Sequence, residues 1–419
     1  ELLAAAWLPL LFLAILKPRP TPLDLTLPVA LLWLTNAPAA VMGTYTLALL
    51  ATLRLGAQIW APHPHPTVLP SDSVGSGAPT KSSRHLALTT LTGTLLGLAL
   101  AAFYILPAAI ERKYVTIAMA VIPGMRIEDN TLFHHTGLTD DALAHDAVLH
   151  TASILAILLL AITALALIRA RKHPLAIPLT ILTATIAALQ TPITIPLWHH
   201  LPELAFLQFP WRLLAILATA ATLAIALALK DLTLKPIPLC ITTFLLTSAL
   251  TYPAIKSFGQ PCDPEDTVPA RLTAFQSHTG SDPTDEYTPI TADNDALAHT
   301  NPPFWLSPNP DAPPPPNTPP GPAPRDLTLT SPIPQTLILN LRQYPDWNLT
   351  LNHHPAHDTT PRADGLLDIP IPAGPSHLQI TLRTTPLEES ADAISLCALL
   401  AALALAIRQH RLTSVIINT

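Results

Sequence analysis

The chain has 419 residues, of which 49% are hydrophobic and only 12% charged, with a formal net charge of -6. A soluble enzyme carries charge on about a quarter of its residues, so an ordinary soluble enzyme is excluded. The few basic residues sit at the ends of apolar runs rather than on a stripe, which also excludes a nucleic-acid-binding surface.

The first apolar run, residues 2–16, follows Glu1 and ends at Lys17 and Arg19. A chain that opens inside such a run, with no charged leader before it, is expected to be a fragment or a processed product. Residues 25–34 and 39–53 come next, flanked on both sides by basic residues, so they form either two crossings or a re-entrant hairpin tipped by Asn36-Ala37-Pro38. Each arm reaches only about 20 Å as helix, against a hydrocarbon core of about 30 Å. Residues 56–84 form a polar inner loop. Gly75-Ser76-Gly77 before Lys81-Ser82 is not a phosphate-binding loop, because Thr80 stands where glycine is required.

Further apolar runs cover residues 86–106, 152–168, 175–189, 213–229, 237–250 and 393–407. Basic residues follow or precede them: Arg54; Lys81 and Arg84; Arg169, Arg171 and Lys172; Lys230 and Lys235; Arg408 and Arg411. Placing all of these on the cytoplasmic face gives nine crossings and a cytoplasmic C-terminus. The expected fold is an α-helical polytopic membrane protein of about nine transmembrane segments with a small extracytoplasmic β-rich domain. Residues 1–256 form the membrane domain and 257–325 a proline-rich segment and linker. Residues 326–388 form a sandwich-like sheet domain, and 389–419 the last helix and its tail. Short alternating runs at 326–330, 336–341, 347–351, 366–371 and 377–382, separated by turn residues, carry the β assignment. Cys240 and Cys397 lie in apolar runs and Cys262 in a polar one, so neither a disulfide framework nor a thiolate metal site is expected.

Arg212 is the charge that breaks the topology rule: it stands on the outer face, directly before residues 213–229. With Trp198, His199, His200, Glu203, Gln208 and Trp211 it forms a polar, aromatic rim. Such an arginine either anchors a helix end or holds a lipid phosphate by bidentate hydrogen bonds. Glu111-Arg112-Lys113 also opposes the rule, and Glu111 is either a solvated loop residue or a carboxylate lining the outer cleft. His134, His135, Asp140, Asp141, His145 and Asp146 are metal-ligand types in a loop, without a helical His pair. Asp293-Asn294-Asp295 has a spacing found in sugar-nucleotide enzymes but no supporting strand. Tyr344 and Trp347 either stack on a sugar or belong to the core of a sheet.

Five short motifs occur in order along the chain. They are residues 33–42 (Trp33 to Met42), Leu106-Pro107-Ala108-Ala109-Ile110-Glu111, Gln208-Phe209-Pro210-Trp211-Arg212, Tyr344-Pro345-Asp346-Trp347, and Pro372-Ala373-Gly374 before Leu378-Gln379-Ile380. In this order they resemble the YfhO-like bacterial membrane proteins and those carrying a 6-pyruvoyl-tetrahydropterin synthase-related membrane domain. That family is similar to the multi-spanning (GT-C-like) glycosyltransferases that use polyprenyl-phosphate sugars.

The resemblance implies a glycosyltransferase-like protein of the bacterial inner membrane that moves a sugar from a polyprenyl-phosphate donor to a cell-envelope acceptor. Arg212, with Trp211, Gln208, His199 and His200, would hold the donor phosphate, Glu111 would line the cleft, and Tyr344 and Trp347 would meet the glycan. The superfamily's acidic catalytic residues lie in an early outer loop, for which this chain has no counterpart, so no catalytic residue is assigned. No cofactor is expected, and nothing in the sequence supports a divalent metal. Two rival readings remain: a non-catalytic scaffold with a glycan-binding outer domain, and a lipid or polymer transporter. The nearly charge-free spans argue against ion-coupled transport.

Overall fold

A computed structural model describes residues 2–60, 81–121, 123–135, 137, 139–231, 236–258, 267–276, 288–290, 301–356, 362 and 364–417. The Gly75-Ser76-Gly77 loop, Cys262, Asp293-Asn294-Asp295 and the side chains of Asp140 and Asp141 lie outside the described residues. The chain divides into two compact units. One comprises Glu1–Ile105, Val121–Phe258 and Ala391–Thr419, and the other Leu106–Ala120 and Gly259–Ser390.

The first unit is helical. It opens with α1 (Leu2–Leu16), α2 (Pro22–Thr35) and α3 (Ala37–Trp60). The Asp24 carboxylate accepts the Thr21 backbone N–H at 2.7 Å and so satisfies a donor at the start of α2. Asn36 alone separates α2 from α3: its backbone is extended and its Oδ1 accepts the Ala39 N–H at 2.9 Å. Two equally short arms were expected here, but α3 has 24 residues, about 36 Å, enough to cross a bilayer by itself. The apolar run stops at Arg54, whereas the helix continues. The Arg54 guanidinium folds back and donates to the carbonyls of Ile15 and Lys17, so its charge does not interrupt the backbone.

α4 (Lys81–Leu100) lies against α2 at two glycines. A Cβ on Gly93 would fall 2.5 Å from the Pro22 carbonyl oxygen, and one on Gly97 would fall 2.8 Å from that of Thr26. Thr26 Oγ1 donates to the Gly93 carbonyl at 3.2 Å across this contact. Small residues four apart let backbones approach in this way when lipid supplies no hydrophobic drive. The chain then turns through 75° into α5 (Ala102–Glu111), so residues 86–106 are not one straight span.

α6 (Asp140–Arg169) and α7 (Ala176–Leu189) follow, and a 91° bend leads through residues 192–194 to α8 (Ile195–His200). The next helices are α9 (Leu214–Leu229), α10 (Pro236–Phe258), α11 (Val268–Gln276, in the second unit) and, after the strands, α12 (Pro386–Ile417). Leu8, Leu11, Ile15, Leu25, Leu50, Leu179 and Ile216 form the helical core. Among the described residues four helices are long and apolar enough to cross a membrane, or up to six if each bent pair counts as one span.

The basic turns meet at one end of this unit. Arg54 reaches the carbonyl of Lys17, and Lys17 and Pro18 share a groove wall with Leu175. Arg169 Nε donates to the Ala228 carbonyl at 3.0 Å, which brings the end of α6 beside the end of α9 and Lys230.

The second unit is a β-sandwich. β1 (Phe304–Ser307), β3 (Gln335–Arg342) and β6 (Leu366–Ile371) form one antiparallel sheet in the order β1-β3-β6. β2 (Asp326–Ser331), β7 (Gly374–Leu382), β4 (Trp347–Leu351) and β5 (His354–Ala356) form the other, in the order β2-β7-β4-β5. Leu337, Leu339 and Ile369 of the first sheet pack on Leu349, Leu378 and Ile380 of the second, as alternating strands with one buried face require. All five expected strands are present.

The proline-rich stretch differs from a free linker. Phe304–Ser307 is a strand paired with β3, and Asn340 Nδ2 donates to the Gly321 carbonyl at 2.9 Å. The indole N–H of Trp305 donates to the Ala312 carbonyl at 3.2 Å, holding the prolines against the sheet. Proline count signals extended backbone, but it does not report the strand hydrogen bonds that flanking residues such as Phe304 and Leu306 supply.

Candidate functional site

Gln208, Trp211 and Arg212 of the expected rim form a tight turn in the helical unit. Gln208 has φ +60°, a strained value for a residue with a side chain, and the chain reverses there between residues 205–207 and 210–213. Arg212 closes the turn: Nη1 donates to the Leu207 carbonyl at 2.8 Å and the guanidinium lies 4.9 Å from the Phe209 ring centre. Trp211 stacks on Phe209 at 5.2 Å. Trp198 is buried with its indole N–H on the Leu189 carbonyl, so it is a core residue. His199 Nε2 lies 2.5 Å from Glu128, and His200 Nδ1 lies 2.7 Å from the Pro196 carbonyl. Partial burial pushes the Glu128 carboxyl up, but hydrogen bonds from its own backbone and from His199 outweigh this and hold it below the usual value.

The loop imidazoles are similarly occupied. His135 bonds Asp146, and His145 Nε2 lies 3.3 Å from the Asp129 carbonyl. Among the described residues these groups do not converge on a common point.

A different convergence occurs in the second unit, and it joins residues that the sequence treats separately. Glu111 ends α5, Asp346 sits in the turn before β4, and Glu388 lies in the first turn of α12. Oxygens of these three carboxylates lie within 4.8 Å of one another, an oxygen set of the kind hard divalent cations take. Thr385 Oγ1 donates to Glu111 at 3.3 Å. Burial first, then the negative charge of Glu388, raises the Asp346 carboxyl above its ordinary value, while Arg383 pulls the other way.

Next to these carboxylates is a cleft of about 270 Å³ walled by Tyr114, Ile290, Tyr344, Trp347 and Leu367. Tyr114 and Tyr344 meet edge to face at 6.0 Å. The Thr116 N–H donates to the Thr288 carbonyl and the Ile290 N–H to the Tyr114 carbonyl, which fixes the segment carrying Tyr114 in the wall. The Trp347 indole N–H donates to the Arg342 carbonyl at 2.9 Å, and Arg325 covers its ring at 4.2 Å, so the indole is held rigidly. Burial, then the charges of Asp346 and Glu111, raises the Tyr344 hydroxyl, which stays protonated and able to donate.

The structure therefore brings Glu111, Tyr344 and Trp347 into one unit, while Arg212, Trp211, Gln208, His199 and His200 belong to the other. Tyr114, Asp346 and Glu388 are the residues that sequence reasoning missed. Asp346 stood in plain view in the Tyr344-Pro345-Asp346 turn, but no spacing rule links it to residues 111 or 388.

The described residues define a mostly helical chain with four to six apolar candidate spans and a small β-sandwich bearing an acidic, aromatic cleft. Comparison with family models, with curated proteins and with solved structures returned no match.

Proposed function

We propose that the chain is part of a glycosyltransferase-like protein of the bacterial inner membrane, resembling the YfhO-like proteins, whose β-sandwich holds a saccharide outside the cell. The reading is carried by the cleft: aromatic faces beside carboxylates suit the apolar ring faces and the hydroxyls of a sugar. Tyr344 supplies the face and a donor, and Glu111 and Asp346 supply acceptors. The ordered motifs and the apolar helices support membrane placement; the nine crossings and the cytoplasmic C-terminus are proposed from the basic ends of the apolar runs alone. A polyprenyl-phosphate sugar is the proposed donor and a cell-envelope glycan the acceptor. The turn closed by Arg212 is the proposed donor-phosphate contact.

Tyr344→Ala is expected to weaken binding of cell-envelope oligosaccharide by about tenfold in a tryptophan-fluorescence titration of the detergent-purified protein. An unchanged affinity, with the sandwich still folded, removes the cleft from the site. Topology has its own measurement. Reporter fusions after Lys172 are expected to be active only in the cytoplasm, and fusions after Pro324 only outside.

A further inference from the structure

We infer that the groove between α6 and α7 binds an anionic phospholipid of the surrounding membrane, with its phosphate at Arg171 and Lys172. The groove holds about 670 Å³ and is walled by Leu160, Ala164 and Ile168 from α6 and Ile177, Ile181 and Ala184 from α7. Ile168 and Ile177 are 63% and 69% exposed, so large apolar side chains line an open channel instead of closing it. Alanines at 164, 184 and 187 leave the floor low enough for a chain to lie along it.

One end of the channel is basic and the remainder carries no charge. Arg171 forms the groove's end, and Lys172 follows it on the exposed turn between the helices. Arg169 is fixed to the end of α9 by the Ala228 carbonyl, so Lys230 lies on the same side. Among the described residues no carboxylate pairs with Arg171 or Lys172. From Leu160 to Arg169, the last residue of α6, the helix rises about 14 Å, and Arg171 follows on the turn. That rise is roughly half of a hydrocarbon core of about 30 Å, the depth of one leaflet.

An acyl chain entering from one leaflet would therefore fill the groove and leave its phosphate at the guanidinium. Basic pockets between membrane helices recognise anionic headgroups in this way. The inference uses only the membrane placement above, not the glycosyltransferase assignment. Recovery of the whole chain from membranes after carbonate washing tests that placement separately.

The test is native mass spectrometry of the detergent-purified chain, titrated with phosphatidylglycerol or with phosphatidylcholine bearing the same acyl chains. Phosphatidylglycerol is expected to bind about tenfold more tightly. Arg171→Gln with Lys172→Gln, both on an exposed turn, should abolish that preference while leaving the melting temperature without lipid unchanged. Ala184→Leu, which fills the groove, should weaken both lipids. Arg408→Gln in α12 should leave the preference intact. Equal binding of the two lipids overturns the inference, as does a preference that survives the double substitution. Protection of the groove by a second copy of the chain would do the same.

Discussion

Replacing Gly97 with leucine is expected to separate α2 from α4 and to destabilise the helical unit by about 3 kcal/mol, a large part of the net stability of a folded domain. The physical reason is the direction in which the glycine faces. A Cβ at 97 would lie 2.8 Å from both the Thr26 carbonyl oxygen and the Val29 Cβ, and backbone atoms cannot rotate away as a side-chain end can. Separation of the helices would also remove the hydrogen bond from Thr26 Oγ1 to Gly93. Gly93→Leu should behave similarly, since its Cβ would meet the Pro22 carbonyl at 2.5 Å. Gly56→Ala provides the contrast. Among the described residues nothing outside its own helix backbone and its two chain neighbours lies within 4 Å of its Cβ position, so alanine should be neutral or stabilise α3 by about 0.5–1 kcal/mol. Thermal unfolding of the detergent-solubilised protein, followed by circular dichroism, separates the two outcomes. Equal melting temperatures for Gly97→Leu and the unsubstituted chain would remove the close approach from the account.

The second large effect concerns pH and the sandwich. The Asp346 carboxyl is raised above its unfolded value by burial and by Glu388. The folded state therefore binds a proton more readily than the unfolded chain. Stability from this group is complete below the unfolded value, about pH 4, and is lost as pH rises through the folded value. Asp346→Asn is expected to leave stability near pH 4 unchanged and to raise it at pH 7, by a few degrees in melting temperature. Glu388→Gln should act in the same direction by removing the neighbouring charge. Hydrogen exchange at β4 and β7, which pair in register from Trp347↔Leu382 to Leu351↔Leu378, reads the sandwich directly. A fall in protection at pH 7 in Asp346→Asn would show that the carboxylate stabilises the fold. The same variant separates fold from function, because a saccharide that uses Asp346 as an acceptor should bind less tightly even as the unit becomes more stable.

Much of the fold was legible in the sequence because its signals are local. Apolar runs with basic ends mark helices by composition, and period-two alternation marks β2, β3, β4, β6 and β7 by facing one side of each strand into a core. The break at Asn36-Ala37-Pro38 was likewise visible as turn chemistry, whereas the strained turn at Gln208 was not. What the sequence could not give was length where a charge is folded back, as at Arg54, or a bend within an apolar run, as at Ala101.

The site divides along the same line. Glu111, Tyr344 and Trp347 were identifiable as chemistry, by a charge that opposed the expected topology and by two aromatics at a turn. Their meeting with Tyr114, Asp346 and Glu388 was decided only by the tertiary structure. The reason is that a residue type announces what it can bond, while only long-range packing decides which bonds are within reach. Three carboxylates from the end of one helix, a strand turn and the start of another helix share no periodicity, and a chain fold was needed to place them within 4.8 Å.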